Sequence, residues 1–485
     1  MTTVESQINQ ANELMRQLRW AEAIQAYQHV LAQAQENATV WFNLAYALRQ
    51  YGQLEGALNC YAKALEYGVA QPEESYTNRA VILADHLQRS DDAKRELQQA
   101  LATNPLYVPA LLNLARVNED QGNRAEALEL YERALGLDQH CYLALARIAD
   151  LTVEVNDMPG MIERVEKMLS VPNLSANARA DLGFALGRLL DAVKKYPQAF
   201  VAYTAGNNAS HAMARPIVGD YDRHQHEQIF DALINTSLPA PLPMPADGVA
   251  RPIFICGMFR SGSTLLEQLI GMHPNVKAGG ELNILPQLVA KHLIPFPQSL
   301  ATAGHDKLLQ VAEQYRTATN GLFPNTPWFT DKRPDNFMLI GLIKALFPDA
   351  VIIHTTRHPL DTCLANYFLH LDMRKTYAVD LMTIGHFYRQ YARLMRHWNE
   401  CFGVDIIRFD YDQFVTKPAD TASSLFARLG LEWRDDFLNF HDVTNVVRTA
   451  SVWQVREPVY RHSSGRARHY ATELNELQSY LSDLL

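Results

Sequence analysis

One helix-forming pattern returns four times in the first third of the chain, and it limits the fold more than any other feature. Ala23, Tyr27 and Val30 align with Ala57, Tyr61 and Ala64, then with Ala93, Leu97 and Ala100, then with Ala127, Tyr131 and Ala134. The sets stand 34, 36 and 34 residues apart, and steps of four and three keep each set on one helical face. A partner helix precedes each set. In the second repeat it carries Trp41, Leu44, Ala45 and Leu48 before Gly52; in the fourth, Leu111, Leu114 and Ala115 before Gly122. One helix pair cannot bury its apolar face alone, so neighbouring pairs must stack. Weaker copies around Leu145, Ile148 and Ala149, and around Ala199 and Tyr203, predict four clear repeats and one or two degenerate ones.

This spacing resembles the tetratricopeptide repeat and predicts an all-α solenoid over residues 1–210. The concave face of such a solenoid ordinarily binds a peptide or another protein. The repeats leave open whether this arm presents a substrate, forms a scaffold or sets an oligomer. Residues 235–252 read N-T-S-L-P-A-P-L-P-M-P-A-D-G-V-A-R-P. Alternating prolines make a stiff extended linker, so 211–250 is expected to be a helix and a Pro-rich tether. The charge changes at the same place. Residues 1–250 hold 20 basic and 30 acidic side chains, whereas 251–485 hold 24 and 23.

The net charge of −9 over 485 residues disfavours a general nucleic-acid binder. Five cysteines, Cys60, Cys141, Cys256, Cys363 and Cys401, show no C-x-x-C spacing. Neither a disulfide framework nor a zinc site is expected, and a reducing, cytoplasmic setting fits. No apolar leader and no run of about 18 apolar residues is seen, so neither secretion nor membrane spanning is expected.

The second half opens with an apolar run at 253–256, suited to a buried parallel strand. Gly257-Met-Phe-Arg-Ser-Gly262-Ser263-Thr264 follows, then Leu265, Leu266, Leu269 and Ile270 at helical spacing. Strand, glycine loop and helix make a cradle in which backbone N–H groups face an anion. The G-x-x-x-x-G spacing matches a Walker A loop, but Ser263 replaces its lysine. A nucleotide kinase or triphosphatase would therefore lack its main charge neutraliser, and Arg260 is the loop's own cation. Three further segments join it: Gly279-Gly280-Glu281, Asp331-Lys332-Arg333-Pro334, and Arg357-His-Pro359 after a second apolar strand. In open α/β sheets, ligands bind at the C-terminal ends of such strands.

In this order and spacing the segments resemble the sulfotransferases, most closely the tetratricopeptide-repeat sulfotransferases and the tyrosylprotein sulfotransferases. The resemblance covers about 251–470 and implies an α/β P-loop-like domain, 251–485, with a parallel sheet. It implies 3′-phosphoadenosine-5′-phosphosulfate (PAPS) as co-substrate and no metal. Arg260, Ser261, Gly262, Ser263 and Thr264 would hold the 5′-phosphosulfate, and Glu281 would take the acceptor's proton. Lys332 would neutralise charge on the leaving phosphate bridge, and Arg357 would bind the 3′-phosphate. Ser451-Val-Trp-Gln454-Val-Arg456-Glu-Pro resembles the family's S-x-x-Q-V-[KR]-x-P segment, so Ser451 and Arg456 would complete the donor site. Residues 448–468 hold five arginines and one acid, which brings Arg466 and Arg468 to the same side. The acceptor would be a peptide, a protein or a small hydroxyl compound, with peptidyl tyrosine first, and the repeat arm could present it.

Three departures bear on this reading. Related enzymes carry serine eight residues after the strand-end arginine, where this chain has Ala365, with Thr362 and Asn366 as candidate substitutes. Ala467 stands where relatives have tryptophan. Asn283 and Gln287 stand where the animal tyrosylprotein enzymes have basic residues for acidic peptides. An interaction scaffold with a degenerate transferase domain is therefore the competing reading. His273 and His354 are expected to be structural.

Overall fold

A computed structural model describes residues 3–152, 158–244, 250–443, 447, 452–458 and 464–485. It divides into two compact units, Met1–Leu151 and Thr152–Leu485.

The first unit is a run of helices from Val4–Arg16 to Tyr142–Thr152, and each helix packs on the next as far as Arg124–Leu137. The repeating positions form its core. Ala23, Tyr27, Val30, Ala57, Tyr61, Ala64, Ala93, Ala100, Ala127 and Ala134 have no solvent exposure, and Leu97 and Tyr131 almost none. Alanine is required where backbones approach, and the larger third or fourth residue fills the space that it leaves. Gly122 ends the helix Val108–Gln121 in the left-handed conformation at φ +85°, which glycine adopts without strain. The one spacing of 36 contains a π-helical turn, Ile82–His86, closed by the bond from Leu87 N–H to Ile82 O at 3.2 Å. A wider turn of this kind takes in extra residues without ending the helix.

The second unit begins with helices Met158–Leu169, Ala176–Ala192, Tyr196–Val218 and Arg223–Asn235. A five-stranded sheet follows: β1 (Arg251–Gly257), β2 (Val276–Lys277), β3 (Trp328–Lys332), β4 (Val351–Thr356) and β5 (Ile406–Asp410). The strand order is β2-β3-β1-β4-β5 and every pair is parallel. β1 is central and buried from Pro252 onward, as its unbroken apolar sequence requires. The register places Ile255 beside Lys332 and Gly257 beside Thr355. The glycine loop, Lys332 and Arg357 therefore gather at one edge. The chain turns from one side of β1 to the other there, the position at which such sheets bind ligands.

The repeat pattern read to 210 and the compact division at 151/152 measure different properties. The helices Ala176–Ala192 and Tyr196–Val218 pack on each other, and the second also meets elements around the sheet. Tyr203 stacks on Phe368 at 3.8 Å between ring centroids, and Asn207 Nδ2 donates to Tyr367 O at 2.8 Å. Asp191 accepts from Arg466 at 2.7 Å and from the Tyr470 hydroxyl. The Pro-rich segment is also anchored. Leu242 is buried, and its N–H donates to Ala345 O at 2.8 Å. No helix among the described residues is long and apolar enough to cross a membrane.

The helices Ala176–Ala192 and Tyr196–Val218 meet at two glycines. A Cβ added to Gly183 would lie 2.9 Å from the backbone of Gly206. Backbone cannot step aside, so Gly183→Ala should destabilise the second unit by about 1–3 kcal/mol. Thermal denaturation should show a lower melting temperature, and an unchanged one would contradict this packing.

Candidate functional site

β1 ends at Gly257 with φ +152°, and a Cβ there would collide with the backbone and hydroxyl oxygens of Thr355. The loop then turns through Arg260 at φ +68° and Gly262 at φ +99°. Gly262 lies on Tyr411, whose Cδ2 would be 2.6 Å from an added Cβ. The helix Ser263–Gly271 starts at once, and its first intrahelical bond is Leu266 N–H to Gly262 O at 3.0 Å. The N–H groups of Ser263, Thr264 and Leu265 precede that bond, so they lie at a helix N-terminus suited to an anion.

Two arginines stand with this loop. Arg357, almost buried after β4, donates from Nη1 to Arg260 O at 3.2 Å and lies 5.1 Å from the Tyr411 ring centroid. Arg260 Nη2 donates to Gln454 Oε1 at 2.6 Å, which joins the loop to the short turn Gln454–Arg456. Arg260, Gly262, Ser263, Thr264, Arg357 and Arg456 are thus brought into one region by direct contacts and chain continuity.

Ser261 lies buried in the loop. Its hydroxyl donates to Met258 O at 2.6 Å and meets Thr355 Oγ1 at 2.7 Å, so it braces the loop against β4. Arg466 points to Asp191, and its guanidinium lies 5.0 Å from the Phe368 ring centroid. Arg468 is exposed and lines a cavity of about 600 Å³ with His358, Asp361, Asp412 and Ser464. Ser451 lies outside the described residues.

The substitutes considered for Ala365 are engaged elsewhere. Thr362 Oγ1 donates to His358 O at 3.1 Å, and Asn366 Nδ2 donates to Phe259 O and Thr362 O, both at 2.8 Å. Ala467 is buried, with its N–H on Asp361 Oδ1 at 2.7 Å, while Gly465 N–H meets Asp361 Oδ2 at 2.6 Å. Asp412 similarly accepts from His358 N–H and Ser464 Oγ, both at 2.7 Å. These two carboxylates dock the C-terminal segment, a role that residue type alone does not reveal.

The second centre forms where turn 279–281 meets β3. Gly279 lies so close to Thr330 O that no Cβ fits, and Gly280 has φ +68°. Gly279 N–H donates to Thr330 Oγ1 at 2.9 Å, and Lys332 N–H donates to Gly280 O at 2.9 Å. The next side chain, Glu281, accepts from Lys332 Nζ at 2.8 Å. Lys332 has no solvent exposure, whereas the Glu281 side chain is 40% exposed. A carboxylate open to solvent and fixed on a buried ammonium can accept a proton while the ammonium turns to a developing anion.

Arg333 Nη1 donates to Asn283 Oδ1 and Nε to Asp335 Oδ1 at 3.2 Å. Lys375 Nζ is 3.2 Å from Asp335 Oδ2 and 4.7 Å from the Phe259 ring centroid. A cation from another element therefore stands at Asn283, where sequence comparison along the chain finds none. His354 is buried on Tyr391, and burial pushes its pKa down to about 3. His273 is held among Phe426 and Phe437 and is also lowered by burial. Both have structural surroundings.

Residues 252–435 match the sulfotransferase family, and residues 8–76 and 78–140 match the tetratricopeptide repeat. The chain is thus a helical tetratricopeptide-repeat region followed by a sulfotransferase domain with a parallel five-stranded sheet. It is similar to a protein of Aquifex aeolicus (strain VF5), 28% identical over 428 residues, covering 84% of this chain and 55% of that one. It spans about half of that relative's length. Among solved structures, it is similar to the sulfotransferase domain from the Synechococcus PCC 7002 olefin synthase. Identity is 20%, coverage 48% of this chain and 91% of that one, and the TM-score 0.35. It is also similar to PilW, a type IV pilus biogenesis factor, at 22% identity, 42% and 92% coverage, and TM-score 0.35.

Asp331 precedes Lys332 and is wholly buried, accepting from Tyr315 OH at 2.8 Å. Burial pushes its pKa from 3.8 up to about 7, against the bonds from Tyr315 and Asn336. Its protonated form suits the folded chain. That stabilisation is complete below about pH 4 and is lost as the pH rises through about 7. Asp331→Asn should therefore reduce the fall in melting temperature between about pH 5 and pH 8. Equal slopes in the two proteins would contradict the assignment.

Proposed function

We propose that this chain is a sulfotransferase that moves a sulfuryl group from PAPS to an acceptor hydroxyl, with Glu281 as general base. The observation that carries the reading is the ion pair between Glu281 and buried Lys332, held beside an anion-binding loop. The loop fits the donor's phosphosulfate. It offers the helix N-terminus at Ser263 and Thr264, with the guanidinium of Arg260 and that of Arg357 for the 3′-phosphate.

In the reaction the acceptor oxygen attacks sulfur and forms the new O–S bond. The bond from sulfur to the bridging phosphate oxygen breaks, and its electron pair stays on the phosphate. Glu281 takes the acceptor's proton, and Lys332 meets the charge that appears on the bridge. Loop N–H groups fixed before the reaction supply the rest of that stabilisation. Arg333, reaching Asn283 beside the Glu281 turn, brings a cation to the acceptor side, offset in part by Asp335. This supports a hydroxyl acceptor with acidic neighbours, such as peptidyl tyrosine.

Glu281→Gln and Glu281→Ala should lower kcat for sulfate transfer by roughly 10²–10⁴-fold. Both should leave the Kd for adenosine 3′,5′-bisphosphate, read by calorimetry, nearly unchanged. Full activity in either would overturn the base assignment. Arg357→Ala should show the opposite pattern, weakening that nucleotide by about tenfold or more. No nucleotide binding by the native chain at tens of micromolar would favour the scaffold reading.

A further inference from the structure

The helix that follows the anion loop also carries a buried acid that touches the turn bearing Glu281. Glu267 is 3% exposed. Its Oε1 accepts from Gly280 N–H at 2.9 Å and from Thr330 Oγ1 at 2.5 Å. Thr330 Oγ1 in turn accepts from Gly279 N–H at 2.9 Å, and Gly280 O accepts from Lys332 N–H at 2.9 Å. Two successive N–H groups and one carbonyl of the turn are therefore tied to one carboxylate, one hydroxyl and the end of β3.

We infer that Glu267 is a positioning residue, which pins turn 279–281 to β3 and so sets where the Glu281 carboxylate meets Lys332 Nζ. The inference rests on Glu281 acting as base. Glu267 stands one turn inside the helix whose first residues, Ser263 and Thr264, line the anion loop. Donor cradle and Glu281 turn are thereby two parts of one hydrogen-bonded unit, joined through Glu267. Gly279 and Gly280 have no side chains to wedge the turn in place, so these bonds and the Glu281–Lys332 ion pair help to hold it. Burial raises the Glu267 pKa, while the nearby Lys332 ammonium and the bonds from Thr330 and Gly280 oppose that rise. A neutral amide of the same shape can accept the same two hydrogen bonds.

The test compares Glu267→Ala, Glu267→Gln and Thr330→Val in the full chain, with folding followed by circular dichroism and melting temperature. Thr330→Val keeps the volume of the bridge without its hydroxyl, so it serves if Glu267→Ala does not fold. Glu267→Ala and Thr330→Val should each lower kcat by about 10–100-fold, the cost of a base misplaced by about 1 Å. The Kd for adenosine 3′,5′-bisphosphate should change by less than about threefold, because the cradle N–H groups are retained. Glu267→Gln should return kcat to within about threefold of native. Native kcat in both disrupting variants would overturn the inference. So would a joint loss of kcat, nucleotide affinity and melting temperature that glutamine does not rescue. The base reading fails separately, through an active Glu281→Gln. An inactive Glu281→Gln beside a fully active Glu267→Ala would sink the positioning role alone.

Discussion

A lysine ammonium with no access to solvent is the constraint around which the sheet unit's edge is arranged. Lys332 ends β3 fully buried, and a buried charge is stable only with a counter-charge and complete hydrogen bonding. Glu281 supplies the charge, which requires turn 279–281 to lie directly against the strand. A Cβ at position 279 would forbid that approach, and the φ of +68° at 280 would strain any other residue. The two glycines are therefore the condition for the ion pair. The pair in turn leaves one carboxylate at the boundary between buried charge and solvent.

The anion loop obeys a related rule at its own edge. Tyr411 supports Gly262 from below and carries the Arg357 guanidinium on its ring. Ser261 and Thr355 lock the loop to β4 through side-chain hydroxyls. The C-terminal segment is fixed by Asp361 and Asp412, whose partners are mainly backbone N–H groups. Three arginines of that segment consequently take separate roles. Arg456 belongs to the turn after Gln454, Arg466 joins Asp191, and Arg468 faces a solvent cavity. Their closeness in sequence carried no information about this division, because a 3₁₀ turn sends neighbouring side chains in different directions.

Legibility followed the range of the interactions. The repeat sets were readable because burial at Ala57, Tyr61 and Ala64 depends on spacings of a few residues. The glycine loop was readable for the same reason, since strand, loop and helix are contiguous. Glu267 was not. In sequence it is one of several polar residues on a mostly apolar helix, and its partners stand 13 and 63 residues away. The same holds for Arg333 at Asn283, 50 residues apart, and for Asp191 with Arg466. Thr362 and Asn366 had the right chemistry to replace a serine, but helix geometry turns both toward carbonyl groups.

The sequence by itself determined the helical repeats, the parallel α/β unit with its glycine loop, and the placing of that loop, Lys332 and Arg357 at strand ends. Those features rest on local periodicity and on strand order, both of which are written along the chain. The tertiary structure decided which polar groups face the site and which hold it together. It bonds Ser261 to Met258 and Thr355, Arg466 to Asp191, and Glu267 to turn 279–281. It also joined the helices from 158 onward to the sheet unit. The physical reason is that a buried polar group must find its partner in space. That partner is fixed only when distant segments pack.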